Sequence, residues 1–451
     1  MKPARLIVKN FGPLKDVDIK VTDFLCLIGK QATGKSTIAK LIAVFEDENF
    51  SDESFKHDLS KYGLEGFLKN DTYISYKVDE YNITSILYFN FTYEENKISL
   101  NNFKSYFKHL FETKNSKGNQ NRIDAINEIS KYLLDDLMSF DDAFMFKKLK
   151  TIYKDLESEM RQHQDLLKDI KFRLSNDENN KKISEINSNI NIVTKGFEKT
   201  IDSCYKKIIE LLKVDSQYIP SERNFLHLIA ENTLGLINNK VQIPAHLLEI
   251  GQEYEKALNV VKEIPLNLID KNFRYQRDGK NSYIYHSKED KVDLLKSASG
   301  MQSLIPIILL IEYAKTLKEN YHFNYIVEEP ELNIYPKTQH QLIKYLVKNI
   351  FDLKLENYQR KKLVITTHSP YILASINNLL LAYQKGQEKA VEVQKIIKRE
   401  FWVNPKNFSA YELKKGKSYK IMNDKIGQIK SNIIDTVTDE FSDEFDKLLS
   451  L

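Results

Sequence analysis

The sequence predicts an α/β fold with an antiparallel β meander and an inserted antiparallel helical hairpin. Three observations lead to it. Residues Leu25 to Thr37 set an apolar strand, a glycine loop of the form G-x-x-x-x-G-K-[ST] and an amphipathic helix in that order. Two later apolar strands, Tyr325 to Val327 and Lys362 to Ile365, each end in clustered polar residues and lead into helices. Between these halves, apolar residues recur at steps of three and four from Leu149 to Leu211, on either side of a polar stretch, Ser175 to Asn180.

In chain order, Arg5 to Lys9 reads as a strand, Asn10-Phe11-Gly12-Pro13 as a turn, and Val17 to Val21 as the second arm of a hairpin that feeds Phe24 to Ile28. That last run is almost continuously apolar, as a strand covered on both faces requires. Ser36 to Phe45 follows with helical spacing at Ile38, Leu41, Ile42 and Phe45. Asp47 to Asn70 reads as polar and irregular. Thr72 to Lys77, Ile83 to Tyr93 and Lys97 to Leu100 alternate as a meander, and Phe103 to Phe140 reads as helical. At a rise of ~1.5 Å per residue the two heptad-like arms would each run roughly 35 to 45 Å.

From Val214 the sequence is mixed, with the compact segment Tyr218 to Arg223, helices to about Glu263, and a hairpin from Phe273 to His286 turning at Asp278-Gly279. Helices near Lys337 to Ile350 and from Pro370 complete a second α/β half. Phe401 to Leu451 reads as a short strand pair around Lys415-Gly416, then an amphipathic helix carrying Val437, Phe441, Phe445, Leu448 and Leu449. The expected divisions are an N-terminal lobe over 1–140, the helical hairpin over 141–214, a C-terminal lobe over 215–400, and a tail over 401–451 suited to packing or partner docking.

Composition narrows the function classes. With 67 basic and 63 acidic residues the net charge is +4, so overall charge does not mark a nucleic-acid binder. Only 14 glycines and 10 prolines interrupt 451 residues, which favours long helices. The two cysteines, Cys26 and Cys204, have no metal-binding spacing, so reduced thiols are expected. The N-terminal apolar stretch is too short for a signal peptide, and the run Leu304 to Ile311 is too short to cross a bilayer. A cytoplasmic protein with no membrane partner is the expectation.

The glycine loop, Gly29-Lys30-Gln31-Ala32-Thr33-Gly34-Lys35-Ser36-Thr37, carries the first candidate chemistry. Backbone N–H groups at a helix N-terminus cradle phosphates, Lys35 reaches the β- and γ-phosphates, and the Ser36 hydroxyl holds Mg²⁺. The expected cofactors are therefore ATP and Mg²⁺. After the strand Tyr325 to Val327, Glu328 is assigned to the metal and Glu329 to the attacking water. His368 stands at the end of the strand from Lys362, where an imidazole would hydrogen-bond the γ-phosphate; Ser369 and Pro370 read as helix cap and first helical residue. Ser299, Gly300 and Gln302, at the start of an apolar helix, form a second candidate anion site, or else a simple cap; as an anion site it would serve a neighbouring subunit's nucleotide.

Taken together, the glycine loop, the Ser297-Ala298-Ser299-Gly300-Met301-Gln302-Ser303 segment, the acidic strand and His368 resemble the phosphate loop, signature, acidic strand and switch histidine of ABC-type ATPase heads. The helical hairpin is similar to the coiled arm of structural-maintenance and Rad-fifty-like members. Asn10-Phe11-Gly12, Glu328-Glu329-Pro330-Glu331 and Thr367-His368-Ser369-Pro370 resemble more particularly the AAA-family ATPases related to overcoming-lysogenization-defect proteins, including the ATPase subunits of the Septu and PARIS phage-defence systems. The chain departs from the family pattern at Glu328, where an aspartate is usual, and at Met301, where transporters have a second glycine. No lid glutamine stands out between residues 45 and 120, and Arg223 has no assigned role beyond a phosphate or interface contact.

The resemblance implies an ATPase that assembles with itself, head to head or in a higher oligomer. It would control a separate effector, a nuclease encoded nearby, in antiphage defence, with DNA or a phage protein as trigger. No Asp-x-Asp pair follows His368, so no nuclease module of its own is expected. The alternative is a DNA-repair or chromosome-maintenance ATPase that contacts DNA through the arms, for example at Lys181-Lys182 and Lys206-Lys207.

Overall fold

The computed structural model describes residues 3–47, 50–78, 89–102, 214–317, 322–351, 361–430 and 432–450, together with scattered helical positions between 154 and 203. The expected helix over 103–140, most of the helical hairpin over 149–211, and Cys204 lie outside the described residues.

Strands β1 (Ala4–Phe11) and β2 (Leu14–Val21) form the expected hairpin, turned by Asn10 and Gly12 at φ 52° and 53°. β3 (Phe24–Gly29) is buried throughout and leads through the glycine loop into α1 (Lys35–Phe45). The stretch expected to be irregular instead contains α2 (Phe55–Lys61). Its two apolar residues, Phe55 and Leu59, are too few to show a periodicity, yet both are buried. Phe55 packs among the rings of Phe45, Phe50 and Phe91, and that packing supplies what the short helix lacks in propensity.

β4 (Tyr73–Val78), β5 (Phe89–Glu94) and β6 (Lys97–Asn102) make the meander, with β4 paired antiparallel to β1. β7 (Val214–Ile219) follows, then α3 (Leu226–Asn238) and α4 (Ala245–Val260). β8 (Glu263–Pro265), β9 (Arg274–Asp278), β10 (Asn281–Tyr285) and β11 (Lys291–Asp293) form a separate antiparallel sheet around the Asp278-Gly279 turn. Next come α5 (Ser299–Ala314), β12 (His322–Glu328), α6 (Pro336–Ile350), β13 (Leu363–Thr367), α7 (Pro370–Gly386) and α8 (Ala390–Ile396). β14 (Phe408–Lys414) and β15 (Lys417–Lys420) are the strand pair expected in the tail, β16 (Met422–Asn423) and β17 (Gln428–Ile429) a small ribbon, and α9 (Ile433–Leu449) the last helix.

The main sheet has the order β6-β5-β4-β1-β2-β15-β14-β3-β13-β12-β7. Its half from β14 to β7 is parallel. The tail's strand pair is thus woven into the sheet: β14 runs beside β3, with Leu413 opposite Gly29. Apolar residues cover both faces. Leu25, Leu27, Ile326 and Val364 pack with α1, while Cys26, Ile28, Val327 and Ile365 pack with α5, α6 and α7. This alternation explains why β3 reads as one continuous apolar run.

Candidate active site

The glycine loop, Glu328, Glu329 and His368 gather at the C-terminal ends of the parallel strands, where open α/β sheets bind ligands, while Ser299, Gly300 and Gln302 stand apart at the start of α5. The registers set Thr367 opposite Ile28 and Glu328 opposite Thr366, so β3, β13 and β12 end side by side.

The glycine loop has the backbone that its sequence requires. Gly29 and Gly34 adopt φ 148° and 100°; a Cβ on Gly34 would lie 2.3 Å from Leu14 Cδ2, and one on Gly29 2.5 Å from the Leu413 carbonyl oxygen. Both positions therefore exclude larger residues. Gly34 is the cap of α1 and has no side chain to occupy the helix donors; the first bond inside the helix runs from Ile38 N–H to Gly34 O at 3.0 Å. The N–H groups of Lys35, Ser36 and Thr37 accordingly point out of the helix end, an arrangement that suits an anion. Lys30, Gln31 and Ala32 form the exposed arch, braced by Thr33 Oγ1 donating to Lys30 O at 2.8 Å. Lys35 is buried and donates through Nζ to Gly29 O (2.9 Å) and Lys30 O (3.0 Å). Burial lowers its pKa, opposed by the charges of Glu329, Glu328 and Glu331.

Glu328 is only 3% exposed and its Oε1 has no hydrogen-bond partner. Burial pushes its pKa up, against the favourable influence of Ser36, Lys40 and Tyr218. Tyr218 OH faces this carboxylate without a hydrogen bond of good geometry. An unpartnered buried carboxylate oxygen beside a loop serine fits Mg²⁺, which takes few protein ligands and completes its shell with phosphate and water. Among the described residues no cluster of three or more His, Cys, Asp or Glu is arranged to hold a metal.

Glu329 adopts φ 41°, a left-handed conformation that costs an L-residue roughly 1 to 2 kcal/mol. Its N–H donates to Thr366 O at 2.9 Å, and its Oε1 lies 3.5 Å from His368 Nε2. The His368 hydrogen bond, then the charges of His368, Lys35 and Arg223, hold the Glu329 carboxyl below the usual glutamate range against the effect of burial. A carboxylate ionised at neutral pH and aimed by a histidine can orient and deprotonate water.

Two contributors were not assigned these roles from sequence. Glu331 accepts from Thr367 Oγ1 (2.8 Å) and His368 N–H (2.7 Å) through one oxygen, so it fastens the histidine loop to the acidic loop. Arg223 is fully buried and donates to backbone carbonyls of both glutamates. The sequence signals for Arg223 were its place in the compact segment Tyr218 to Arg223 and the similarity of Ser221-Glu222-Arg223 to a short segment of the ATPases that the chain resembles.

At the expected second anion site, Ser299 is exposed at the start of α5, and a Cβ on Gly300 would fall 2.6 Å from Asn333 O. Gln302 Nε2 donates to Leu295 O (3.0 Å) and Ser297 O (2.9 Å), so its amide nitrogen braces the signature loop. Ser369 caps α7 as expected, accepting from the N–H groups of Tyr371 and Ile372.

Comparison with protein families gives a match to the AAA ATPase domain (AAA_15) over residues 1–373. The chain belongs to this AAA ATPase family. No match is found among curated proteins. Similar solved structures include the Smc head domain with an extended coiled coil from Pyrococcus furiosus (11% identity, TM-score 0.34, covering 93% of this chain and 96% of that one). Others are the SMC head domain from Thermotoga maritima (10%, 0.35, 93% and 98%) and the recombination mediator protein RecF (15%, 0.30, 93% and 99%). Membership of the AAA ATPase family agrees with a site built for a nucleotide's phosphates. No described helix is long and apolar enough to cross a membrane.

Proposed function

We propose that this AAA ATPase binds ATP with Mg²⁺, hydrolyses it slowly, and assembles with itself to control a separate effector, a nuclease, in antiphage defence. The observation that carries the catalytic part is the convergence of Lys35, Glu328, Glu329 and His368 at adjoining strand ends, with Glu329 Oε1 3.5 Å from His368 Nε2. Lys35 and the first N–H groups of α1 would hold the phosphates. Ser36 and Glu328 would hold the metal, which would supply positive charge against the phosphates. Glu329 would take the proton of the attacking water, and His368 would keep that carboxylate ionised and aimed.

The exposed Ser299 N–H end of α5 would meet a second copy's nucleotide, and DNA or a phage protein would act as trigger. α9 supports a docking role, since it leaves Phe441, Phe445, Leu448 and Leu449 exposed along one side. The test is to co-purify the protein with the products of neighbouring genes, weigh the complex, and measure ATP-dependent nuclease activity. Salt-sensitive DNA binding by the isolated protein, with no co-purifying effector, would favour the repair reading instead.

A further inference from the structure

We propose that Arg223 is a positioning residue that ties the catalytic strand end to the signature helix, so that the placement of Glu329 follows the placement of α5. The inference deepens the ATPase reading and rests on it.

The Arg223 guanidinium is completely buried and donates to carbonyls on three segments. Nε reaches Ser303 O in α5 at 2.9 Å; Nη1 reaches Glu328 O at 2.7 Å and Pro220 O at 3.2 Å; Nη2 reaches Glu329 O at 2.7 Å. All four acceptors are backbone atoms, so the side chain fixes main-chain geometry. A planar, five-donor fork holds such directions rigidly, which a lysine ammonium does not. Burial pushes its pKa down to about 10, which still leaves it charged at neutral pH, with Glu331, Glu329 and Glu328 favouring that form.

One of the residues that it grips, Glu329, has a backbone that needs holding. Glu329 stands at φ 41°, and such a conformation persists in an L-residue only where the surroundings over-determine it. Its N–H is fixed by Thr366 O and its carbonyl by Arg223 Nη2, so both flanking peptide units are pinned and the side chain is directed toward His368. The same α5 touches the far end of the acidic loop directly, through Gly300 against Asn333 O. A shift of α5 on engaging another copy's nucleotide would thus reach Glu329 by a hydrogen-bonded path of two links, Ser303 O to Arg223 to Glu329 O.

The test uses the full chain as wild type, Arg223→Lys and Gly300→Ala. ATP affinity is followed by equilibrium binding, thermal midpoint by melting, and phosphate release across a range of protein concentrations. Arg223→Lys keeps the charge but cannot span three segments; kcat should fall on the order of 10- to 100-fold with ATP affinity kept within about threefold. Gly300→Ala crowds Asn333 O, the other contact of α5 with the acidic loop, and should also lower kcat, but Gly300 belongs to the candidate anion site, so the thermal midpoint of Arg223→Lys is what shows that the Arg223 variant is folded. Both should lose any rise of specific activity with protein concentration. Wild-type turnover by Arg223→Lys would overturn the role of Arg223, as would a joint fall of its kcat, affinity and thermal midpoint, which marks a merely structural contact. A wild type that neither binds nor hydrolyses ATP would overturn the ATPase reading and this inference with it.

Discussion

Replacing Glu329 should separate catalysis from both nucleotide binding and backbone strain. Glu329→Gln keeps the shape of the side chain but removes the proton acceptor, and a general base contributes roughly 10²- to 10⁴-fold. Because the wild-type carboxyl is held below the ordinary glutamate range, the acceptor is fully formed at neutral pH and the whole effect is lost there. ATP binding should persist, since Lys35 and the α1 N-terminus are untouched. Glu329→Gly should lose as much turnover and yet be the more stable of the two. At φ 41° glycine escapes a cost of roughly 1 to 2 kcal/mol, and its extra freedom in the unfolded chain returns about 0.4 to 1 kcal/mol. The net difference lies between about 0 and about 1.6 kcal/mol in favour of Gly. Phosphate release at saturating ATP, calorimetric ATP binding and denaturant midpoints measure the three quantities. Turnover by Glu329→Gln within tenfold of wild type would move the base elsewhere, and a Gly variant clearly less stable than the Gln variant would refute the strain.

Lys35→Ala should weaken ATP binding at least tenfold, because a charge-assisted bond to phosphate is worth ~1.5 to 3 kcal/mol; calorimetry with folded mutant decides. His368→Ala should move the acid limb of the ATPase pH profile upward: His368 lowers the Glu329 pKa, the ionised form is the active one, and removing the histidine lets that pKa rise. An unmoved limb would separate His368 from the base. Phe441→Asp with Phe445→Asp should change stability by no more than about 0.5 kcal/mol, as the two side chains are 66% and 61% exposed, while co-purification of an effector is lost. Replacing residues 149–211 with a short Gly/Ser linker should preserve ATP binding; loss of DNA association would point to repair, loss of assembly to effector control.

Much of this was legible in the sequence because the nucleotide site is local. The loop, its strand and its helix are contiguous, and glycines at 29 and 34 are forced by backbone geometry that tolerates little else. Glu329 and His368 were found because each ends an apolar strand. What could not be read depends on contacts between distant segments. β7 has polar Asp215, Ser216 and Gln217 in succession and becomes a strand only by pairing with β12. α2 is made by the burial of one phenylalanine among rings from α1 and the meander. Arg223 and Glu331 are ordinary charged residues until folding brings carbonyls and N–H groups from other segments around them.

The seat of β14 has a consequence for synthesis of the protein. Lys20 N–H, near the end of β2, donates to Tyr411 OH in β14, 391 residues later. At ribosomal rates of about 5 to 20 residues per second, the phosphate-loop strand would emerge and wait roughly 20 to 80 s for its neighbour. For most of that interval neither edge of β3 has its partner, since β13 on the other side comes from residues 363–367, and both are exposed to pairing with other chains or to chaperones. A nascent chain is therefore not expected to hold nucleotide firmly until Leu413 has emerged, so that assembly is reserved for chains translated at least that far.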